Sequence, residues 1–204
     1  MSNIYTMAAY KHDYGQTITT DIEGVELDRA FLAHLHIVGA DVPVKDTVSV
    51  MALTKLVAAD GEDDGTRKIT EGLTNPAYPR NVRVVSDTAD ITSKIKVHGT
   101  NIADEVISEE IQLNGTTAKS GLLVFKTITA IDLPAATGTE KVSVGLDDLL
   151  GFPYFECRLL QTYFDNQAES TAPAITINKD VIAKNTIKLN SALNTKDVDV
   201  YLIV

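Results

Sequence analysis

The stretch "HGTNIADEVISEEIQLNG", residues 98 to 115, decides the fold class, because it alternates polar and apolar residues between two turn signals. Successive side chains of a strand point to opposite faces, so Ile107, Glu109 and Ile111 would share one face. The Asn-Gly pair at residues 114 and 115 is the dipeptide that closes tight β-hairpins most readily. The stretch therefore predicts a β-hairpin with polar edges.

The same rhythm continues along most of the chain. From about Lys68 onward, short apolar-rich runs such as "NVRVVS", "EKVSVG" and "AITINKD" alternate with Gly, Asn, Asp, Thr or Pro. Runs of this length, repeated roughly every ten residues, are typical of all-β sandwiches and barrels. We therefore predict a mainly β protein with a β-sandwich or jelly-roll-like body. The apolar end, "VDVYLIV", must be paired or covered, and we expect it to close a sheet of its own chain.

The first 65 residues are less regular. "VELDRAFLAHLHIVG", residues 25–39, fits a strand, but its charged start and closing Gly39 favour a helix. The helical interpretation places four apolar residues on one face: Leu27, Phe31, Leu35 and Val38. The segment before it fits an extended arm. We divide the chain into an N-terminal arm or subdomain, residues 1–65, holding a short helix or an extended arm, and a β-sandwich body, residues 66–204.

Charge and hydropathy exclude several classes of partner. The chain of 204 residues carries a formal net charge of −10, with no concentrated basic surface to contact phosphates, so nucleic acid is not an expected partner. The same charge argues against an anionic membrane. No apolar run approaches the ~18 residues of a membrane span, and the N-terminus lacks the pattern of a signal peptide. We expect the protein to stay where it is made or to leave the cell by lysis.

The segment "DGEDDGTRKITE", residues 60–71, follows the spacing of a calcium-binding loop. The candidate ligands are Asp60, Glu62, Asp64 and Glu71. Three features argue against calcium: Glu62 stands where the loop usually has Asp or Asn, Arg67 stands where it normally packs a hydrophobic residue, and the "GLTNPAYP" that follows cannot continue as a helix. We favour a solvated acidic loop, with calcium as the weaker alternative, and predict no resident metal or cofactor.

Other chemical motifs are weak. His34 and His36 would share a face only in a strand, and no acid or cysteine lies at ligand spacing near them, so no zinc site is predicted. The chain has no G-x-S-x-G, no H-E-x-x-H and no Gly-rich phosphate loop. The acids of the opening stretch would be spread over the sheet: Asp104, Glu105, Glu109 and Glu110. We therefore predict no enzymatic activity.

A series of fold-forming segments nevertheless follows a recognisable order. "NPAYPRNVRVV" (75–85) gives a Pro-Arg-Asn start to a strand, and "KVHGTNIADEVISEEIQLNG" (96–115) gives strands ending in Gly-Thr and Asn-Gly. "SGLLVFKTITAIDLP" (120–134) and "VSVGLDDLLGFPY" (142–154) follow, with Phe152 where a leucine is usual. This order resembles small β-rich structural proteins of tailed bacteriophages, of the head decoration or auxiliary capsid kind.

The resemblance covers roughly residues 70 to 154 and implies a structural role in the virion, with no chemistry to transfer. It implies a capsid decoration (cement) protein, made in the host cytoplasm and bound outside the head shell. Its partners would be the major capsid protein or other virion subunits, and further copies of itself. A tail tube or terminator protein is the alternative within this class. A carbohydrate- or cell-surface-binding β module is a further alternative, disfavoured by the absence of Trp and the 6% aromatic content.

One segment is singled out as a candidate contact. "GFPYF", residues 151–155, places aromatic side chains beside a rigid proline turn. A plug in the core and a contact between subunits are both open, and the plug is favoured. The candidate interaction residues are Gly151, Phe152, Pro153 and Tyr154.

Overall fold

The computed structural model describes residues 18–19, 26–27, 31–56, 67–135, 139–155 and 157–204. The described chain is mainly β, as predicted, and its helical content consists of two short 3-10 turns, Gly39–Asp41 and Ile182–Lys184. The strands are β1 (Ile18–Thr19), β2 (Glu26–Leu27), β3 (Leu32–Ile37), β4 (Met51–Lys55), β5 (Arg67–Ile69), β6 (Arg80–Ser86), β7 (Lys94–Thr100), β8 (Val106–Gln112), β9 (Lys119–Phe125), β10 (Thr127–Leu133), β11 (Lys141–Gly151), β12 (Arg158–Phe164), β13 (Gln167–Ala168), β14 (Ala174–Thr176), β15 (Thr186–Lys188) and β16 (Val198–Ile203).

Three antiparallel sheets make up the body. The central sheet has the order β14-β15-β11-β6-β9, and β4 also pairs with β11. The hairpin sheet has the order β5-β10-β7-β8, and the terminal sheet has the order β13-β12-β16-β3. Within the described parts of the chain, β1 and β2 pair only with each other. The central sheet is therefore the layer that the other two share.

The long strand β11 links two hydrophobic cores. Its first half contributes Val142 and Val144 to a first core, which also holds residues of the hairpin sheet such as Val97. The end of β11 contributes Leu150 to a second core, which also holds Val200 of the terminal sheet. The pairing of β11 with β6 shifts register between these halves. The body is thus β-sandwich-like, with the hairpin sheet over one part of the central sheet and the terminal sheet over another.

The helix predicted within residues 25–39 is wrong, because Leu32–Ile37 form strand β3. β3 pairs antiparallel with β16 along its whole length, from Leu32 opposite Ile203 to Ile37 opposite Val198. Alternate residues of β3 then pack toward the second core, with Ile37 fully buried. Pairing with a strand from the far end of the chain outweighs the local helix signals, which are a weak preference.

The N-terminal region contributes directly to the body. β3 pairs with β16, and β4 pairs with β11. Residues 31–56 therefore belong to the same sheets as the C-terminal half. The predicted arm falls mainly on residues before Phe31, most of which lie outside the described residues, and it stays a prediction. The C-terminal strand β16 lies between β12 and β3, so it is covered on both edges by its own chain, as predicted.

The opening stretch is a hairpin, but its Asn-Gly turn does not join two strands of one sheet. β7 and β8 pair antiparallel from Thr100 opposite Val106, as the hairpin prediction requires. After Asn114-Gly115, however, the chain passes to β9 in the central sheet. Gly115 adopts φ +56°, and its N–H donates to the Ile91 carbonyl at 2.9 Å. The turn is anchored to the preceding loop, and so it directs the chain across to the other sheet.

Candidate functional site

The outer face of the terminal sheet gathers polar and aromatic side chains. Val198, Val200 and Leu202 of β16 are buried in the second core, so the alternate residues Asp199 and Tyr201 face outward. Strand register places His36 of β3 opposite Asp199, and His34 opposite Tyr201. On the other side of β16, Tyr163 of β12 lies opposite Asp199. Three strands thus bring these side chains to one face.

Two histidines converge on one carboxylate oxygen. His34 Nε2 lies 2.7 Å from Asp199 Oδ1, and His36 Nδ1 lies 2.8 Å from the same oxygen. We call these three residues the His–His–Asp cluster. The imidazole side chains are 43% and 47% exposed, whereas the Asp199 side chain is 16% exposed. The carboxylate is therefore held close to the sheet, and the two rings open toward solvent.

Aromatic contacts fix one side of the cluster. The His34 ring stacks on the Tyr201 ring, with centroids 4.4 Å apart and planes within 5°. The Tyr163 ring meets Tyr201 edge to face at a centroid distance of 6.0 Å. The stacking contact favours one orientation of the His34 ring, although that ring is 43% exposed.

Opposing effects act on the Asp199 carboxyl. Burial by itself raises the pKa of Asp199, but hydrogen bonds from His36 and His34, together with the charge of those rings, lower it. The net result is a pKa of Asp199 below its usual value. Asp199 is therefore a carboxylate at neutral pH, able to accept both hydrogen bonds.

The cluster has the composition of a transition-metal site. One ligand atom from each residue, two imidazole nitrogens and one carboxylate oxygen, lie within 4.8 Å of one another. Among the described residues, this is the one group of three or more His, Cys, Asp or Glu side chains whose ligand atoms all lie this close together. Sequence reasoning placed His34 and His36 on one face only in a strand and found no nearby acid. The third residue lies 163 positions from His36, beyond any local spacing rule.

The predicted calcium loop falls mainly outside the described residues. Asp60, Glu62 and Asp64 lie in the undescribed range 57–66. Glu71 is described, and it is exposed in the bend that follows β5. The loop therefore stays a prediction.

The four acids of the opening stretch are dispersed, as predicted. Each has a different partner: Asp104 pairs with Lys126, Glu105 with Asn101, Glu109 with the backbone of β9, and Glu110 with Lys94. Glu109 and Glu110 point to opposite faces of β8, since successive strand residues alternate. They do not form an acid–base pair.

Glu109 connects the edges of two sheets. Its Oε1 accepts a hydrogen bond from the Leu122 N–H at 2.6 Å, and its Oε2 accepts one from the Leu123 N–H at 3.2 Å. β8 and β9 are edge strands of the hairpin and central sheets, so this carboxylate bridges the seam between them. Gly121 makes room for it, because a Cβ there would lie 2.3 Å from Glu109 Oε2. Burial raises the pKa of Glu109, and the two backbone hydrogen bonds oppose that rise only in part.

Replacing Glu109 and Glu110 with Gln should change the pH dependence of stability in opposite directions. A carboxyl with a raised folded pKa costs stability once the pH rises above its unfolded pKa. Glu109→Gln should therefore gain stability relative to the parent protein between about pH 3 and about pH 7. The hydrogen bond from Lys94 lowers the pKa of Glu110, whose stabilising contribution is lost as the pH falls. Glu110→Gln should therefore lose relative stability over the same rise in pH.

Urea unfolding of the two variants and the parent protein at both pH values measures these trends. Glu110 is exposed, so solvent screening should make its effect the smaller of the two. Equal trends for both variants would contradict the assignment of Glu109 to a buried seam.

The Pro-Arg-Asn motif at the start of β6 makes hydrogen bonds to three other parts of the chain. Arg80 is fully buried, and its guanidinium donates to the carbonyls of Asp147 at 2.7 Å and Pro43 at 2.8 Å. Asn81 donates to the Gly121 carbonyl and accepts from the Leu149 N–H. The motif thus connects the 43–49 loop, β9 and the irregular part of β11. Its residues are structural and do not form a surface site.

The "GFPYF" segment lies against the second core. Phe152 is fully buried, and its ring meets Tyr154 edge to face at 5.3 Å. The Gly151 carbonyl accepts a hydrogen bond from the Tyr78 hydroxyl at 2.7 Å. Phe152 is therefore a core plug, whereas Pro153 and Tyr154 are half-buried and Phe155 is exposed. A subunit contact through this segment stays a prediction, and Phe152 could not provide it without leaving the core.

Comparison with protein-family models, with curated proteins and with solved structures gave no match. Among the residues that the structure describes, no helix has the length and apolar character needed to cross a membrane.

Proposed function

We propose that the chain is a structural subunit of a tailed-phage particle, and that it decorates the outside of the head shell. The resemblance of the segments between residues 75 and 154 motivates this proposal. The single surface observation that supports it is an apolar corner at the end of the terminal sheet. The role needs binding to neighbouring subunits and no catalysis.

The apolar corner consists of Phe31, Leu32 and Val204. Two backbone hydrogen bonds of 2.9 Å join Phe31 to Val204, and Leu32 lies opposite Ile203, so these residues are neighbours at the end of the sheet. Leu32 points to the opposite face from Phe31 and Val204, so the corner wraps around the end of the strands. Their exposed fractions are 41%, 68% and 37%. The corner lies on β3, an edge strand in the order of the described strands. An exposed apolar surface beside a sheet edge is the kind of surface that protein partners cover.

A decoration protein stabilises a shell by burying surface across neighbouring shell subunits. Many copies act together, so each contact can be modest. A net charge of −10 suits a position outside the shell, away from packaged DNA, and a shell surface with basic patches. The two buried hydrophobic cores support the sheets that would carry such contacts.

Immunogold electron microscopy of purified particles, with an antibody raised against this chain, tests the proposal. We expect label over the head at many positions per particle. Label confined to the tail would move the assignment to a tail tube or terminator protein. If neither intact particles nor particles opened by mild denaturation carry label, the virion role is overturned.

The contact itself can be tested with a matched pair of substitutions. Leu32→Asp places a charge in the apolar corner, whereas Val106→Asp changes a side chain that is 88% exposed on the hairpin sheet. Loss of one buried leucine contact is worth roughly 1.5–3 kcal/mol, so Leu32→Asp should weaken binding to undecorated particles by about tenfold or more. Val106→Asp should bind as the parent protein does. Equal binding by both variants would exclude the apolar corner as the contact.

A further inference from the structure

We propose that the His–His–Asp cluster binds a divalent transition-metal ion, with Zn²⁺ as the preferred ion. The ligand atoms are His34 Nε2, His36 Nδ1 and one oxygen of Asp199. This site does not depend on the proposed virion role, because the three residues belong to one chain and are already in contact.

The ligand geometry is close to that of a bound zinc ion. Zinc lies about 2.0–2.1 Å from histidine nitrogen and about 2.0–2.2 Å from carboxylate oxygen, in a tetrahedral arrangement. Ligand atoms at those bond lengths are roughly 3.4 Å apart. The two nitrogen-to-oxygen distances here are 2.7 and 2.8 Å, and the three ligand atoms lie within 4.8 Å of one another. Each nitrogen must therefore separate from the carboxylate by a fraction of an ångström to admit the ion.

The scaffold permits that adjustment without moving the backbone. β3 and β16 are paired over six consecutive residue pairs, which fixes the positions of the three Cα atoms. The adjustment then falls on the side-chain torsions of His34 and His36, whose rings are each nearly half exposed. Sites on paired strands hold their ligands more precisely than sites on loops.

Metal binding exchanges two hydrogen bonds for three metal–ligand bonds. Without the ion, both ring N–H groups point at a single carboxylate oxygen. When the ion binds, the ligating nitrogens must be unprotonated, so the protons at His34 Nε2 and His36 Nδ1 are either released to solvent or shifted to the other ring nitrogen. The carboxylate changes from accepting hydrogen bonds to ligating the ion.

The ligand types and their number define the class of ion. Two imidazoles and one carboxylate suit zinc, copper or nickel, whereas calcium and magnesium require oxygen ligands. Three protein ligands leave a fourth position for water or for a side chain of a partner. His34 lies two residues from Leu32 on the same side of β3, so the cluster and that residue of the apolar corner share one face of the strand.

Isothermal titration of the full, tag-free chain with ZnCl₂ tests the site. We expect one strong site per chain, lost or weakened by more than about tenfold in His36→Gln and in Asp199→Asn. His98→Gln is the matched control. His98 Nε2 also contacts a carboxylate, Asp132, at 2.6 Å, but that pair lacks a second histidine. The control should bind zinc as the parent protein does.

A spectroscopic measurement separates a built site from loss of folding. Titration with CoCl₂ should produce the intense visible bands of tetrahedral cobalt in the parent protein and in His98→Gln. These bands should be missing in His36→Gln and Asp199→Asn, whose far-ultraviolet circular dichroism should stay unchanged. The proposal is overturned if zinc and cobalt do not bind, or if binding persists when His36 or Asp199 is replaced. Equal loss of binding in His98→Gln would also overturn it.

Discussion

Replacing Arg80 with alanine is expected to destabilise the protein by about 3–5 kcal/mol, the range found when one partner of a buried charged network is removed. Arg80 is fully buried, and its side chain donates hydrogen bonds to the carbonyls of Asp147 and Pro43. Burial lowers the pKa of Arg80, while the nearby carboxylates of Asp148, Asp147 and Asp46 oppose that change. Alanine would leave two carbonyls without their donor, remove the positive charge that these three carboxylates act on, and open a cavity.

The measurement is the free energy of unfolding from urea titration, with Arg158→Ala as the matched control. Arg158 begins β12 and is exposed, so its replacement should change stability by less than about 0.5 kcal/mol. Arg80→Lys should fall between the two, because lysine keeps the charge but cannot reproduce the fixed fork of a guanidinium. A loss below about 1 kcal/mol for Arg80→Ala would mean that the 43–49 loop and β11 hold their positions without this residue.

Local alternation allowed the β class to be predicted. The facing of Ile107, Glu109 and Ile111 depends only on the two-residue period of a strand, and the structure has Ile111 buried and Glu109 half-buried on that face. The β7–β8 hairpin was predictable for the same reason, since its turn and both strands are contiguous in sequence. Such features need no information about distant residues.

The errors arise where distant residues decide the outcome. Residues 25–39 carry acceptable helix signals, but β16 supplies six backbone partners that convert Leu32–Ile37 to a strand. The Asn-Gly turn was located correctly, but its hydrogen bonds to Ile91 and Ser86 send β9 into another sheet. Neither interaction has a signal within the segment that it controls.

The His–His–Asp cluster lies beyond local prediction for the same reason. Two segments, "HLH" (34–36) and "DVDVY" (197–201), alternate polar and apolar residues, and each indicates a strand with polar residues on one face. Only the register of β3 against β16 reveals that those faces coincide and that His36 is opposite Asp199. Arg80 is similar: its place in a Pro-Arg-Asn motif suggests a strand start, but nothing in the motif indicates complete burial.

Replacing Phe152 with alanine should cost about 3–5 kcal/mol of stability, the usual cost of truncating a buried phenylalanine. Phe152 is fully buried in the second core with Leu150 and Val200, and its ring contacts Tyr154. It also follows directly on β11, the strand that joins both cores. The cavity would therefore open where the central and terminal sheets meet, and neither sheet can close it without moving the shared strand.

Phe155→Ala is the matched control, since it removes the same side chain three residues later from a position that is 44% exposed. It should change the free energy of unfolding by less than about 0.5 kcal/mol. The pair also decides between the two interpretations of "GFPYF", because a subunit contact and a core plug give different results. If Phe152 were a contact, its loss would weaken binding to particles and leave the isolated chain stable. Because its side chain is enclosed by the second core, we expect the reverse: the urea midpoint of the isolated chain falls sharply for Phe152→Ala. If the "GFPYF" segment does contact particles, Phe155→Ala is the variant expected to lose binding without losing stability, because Phe155 is exposed.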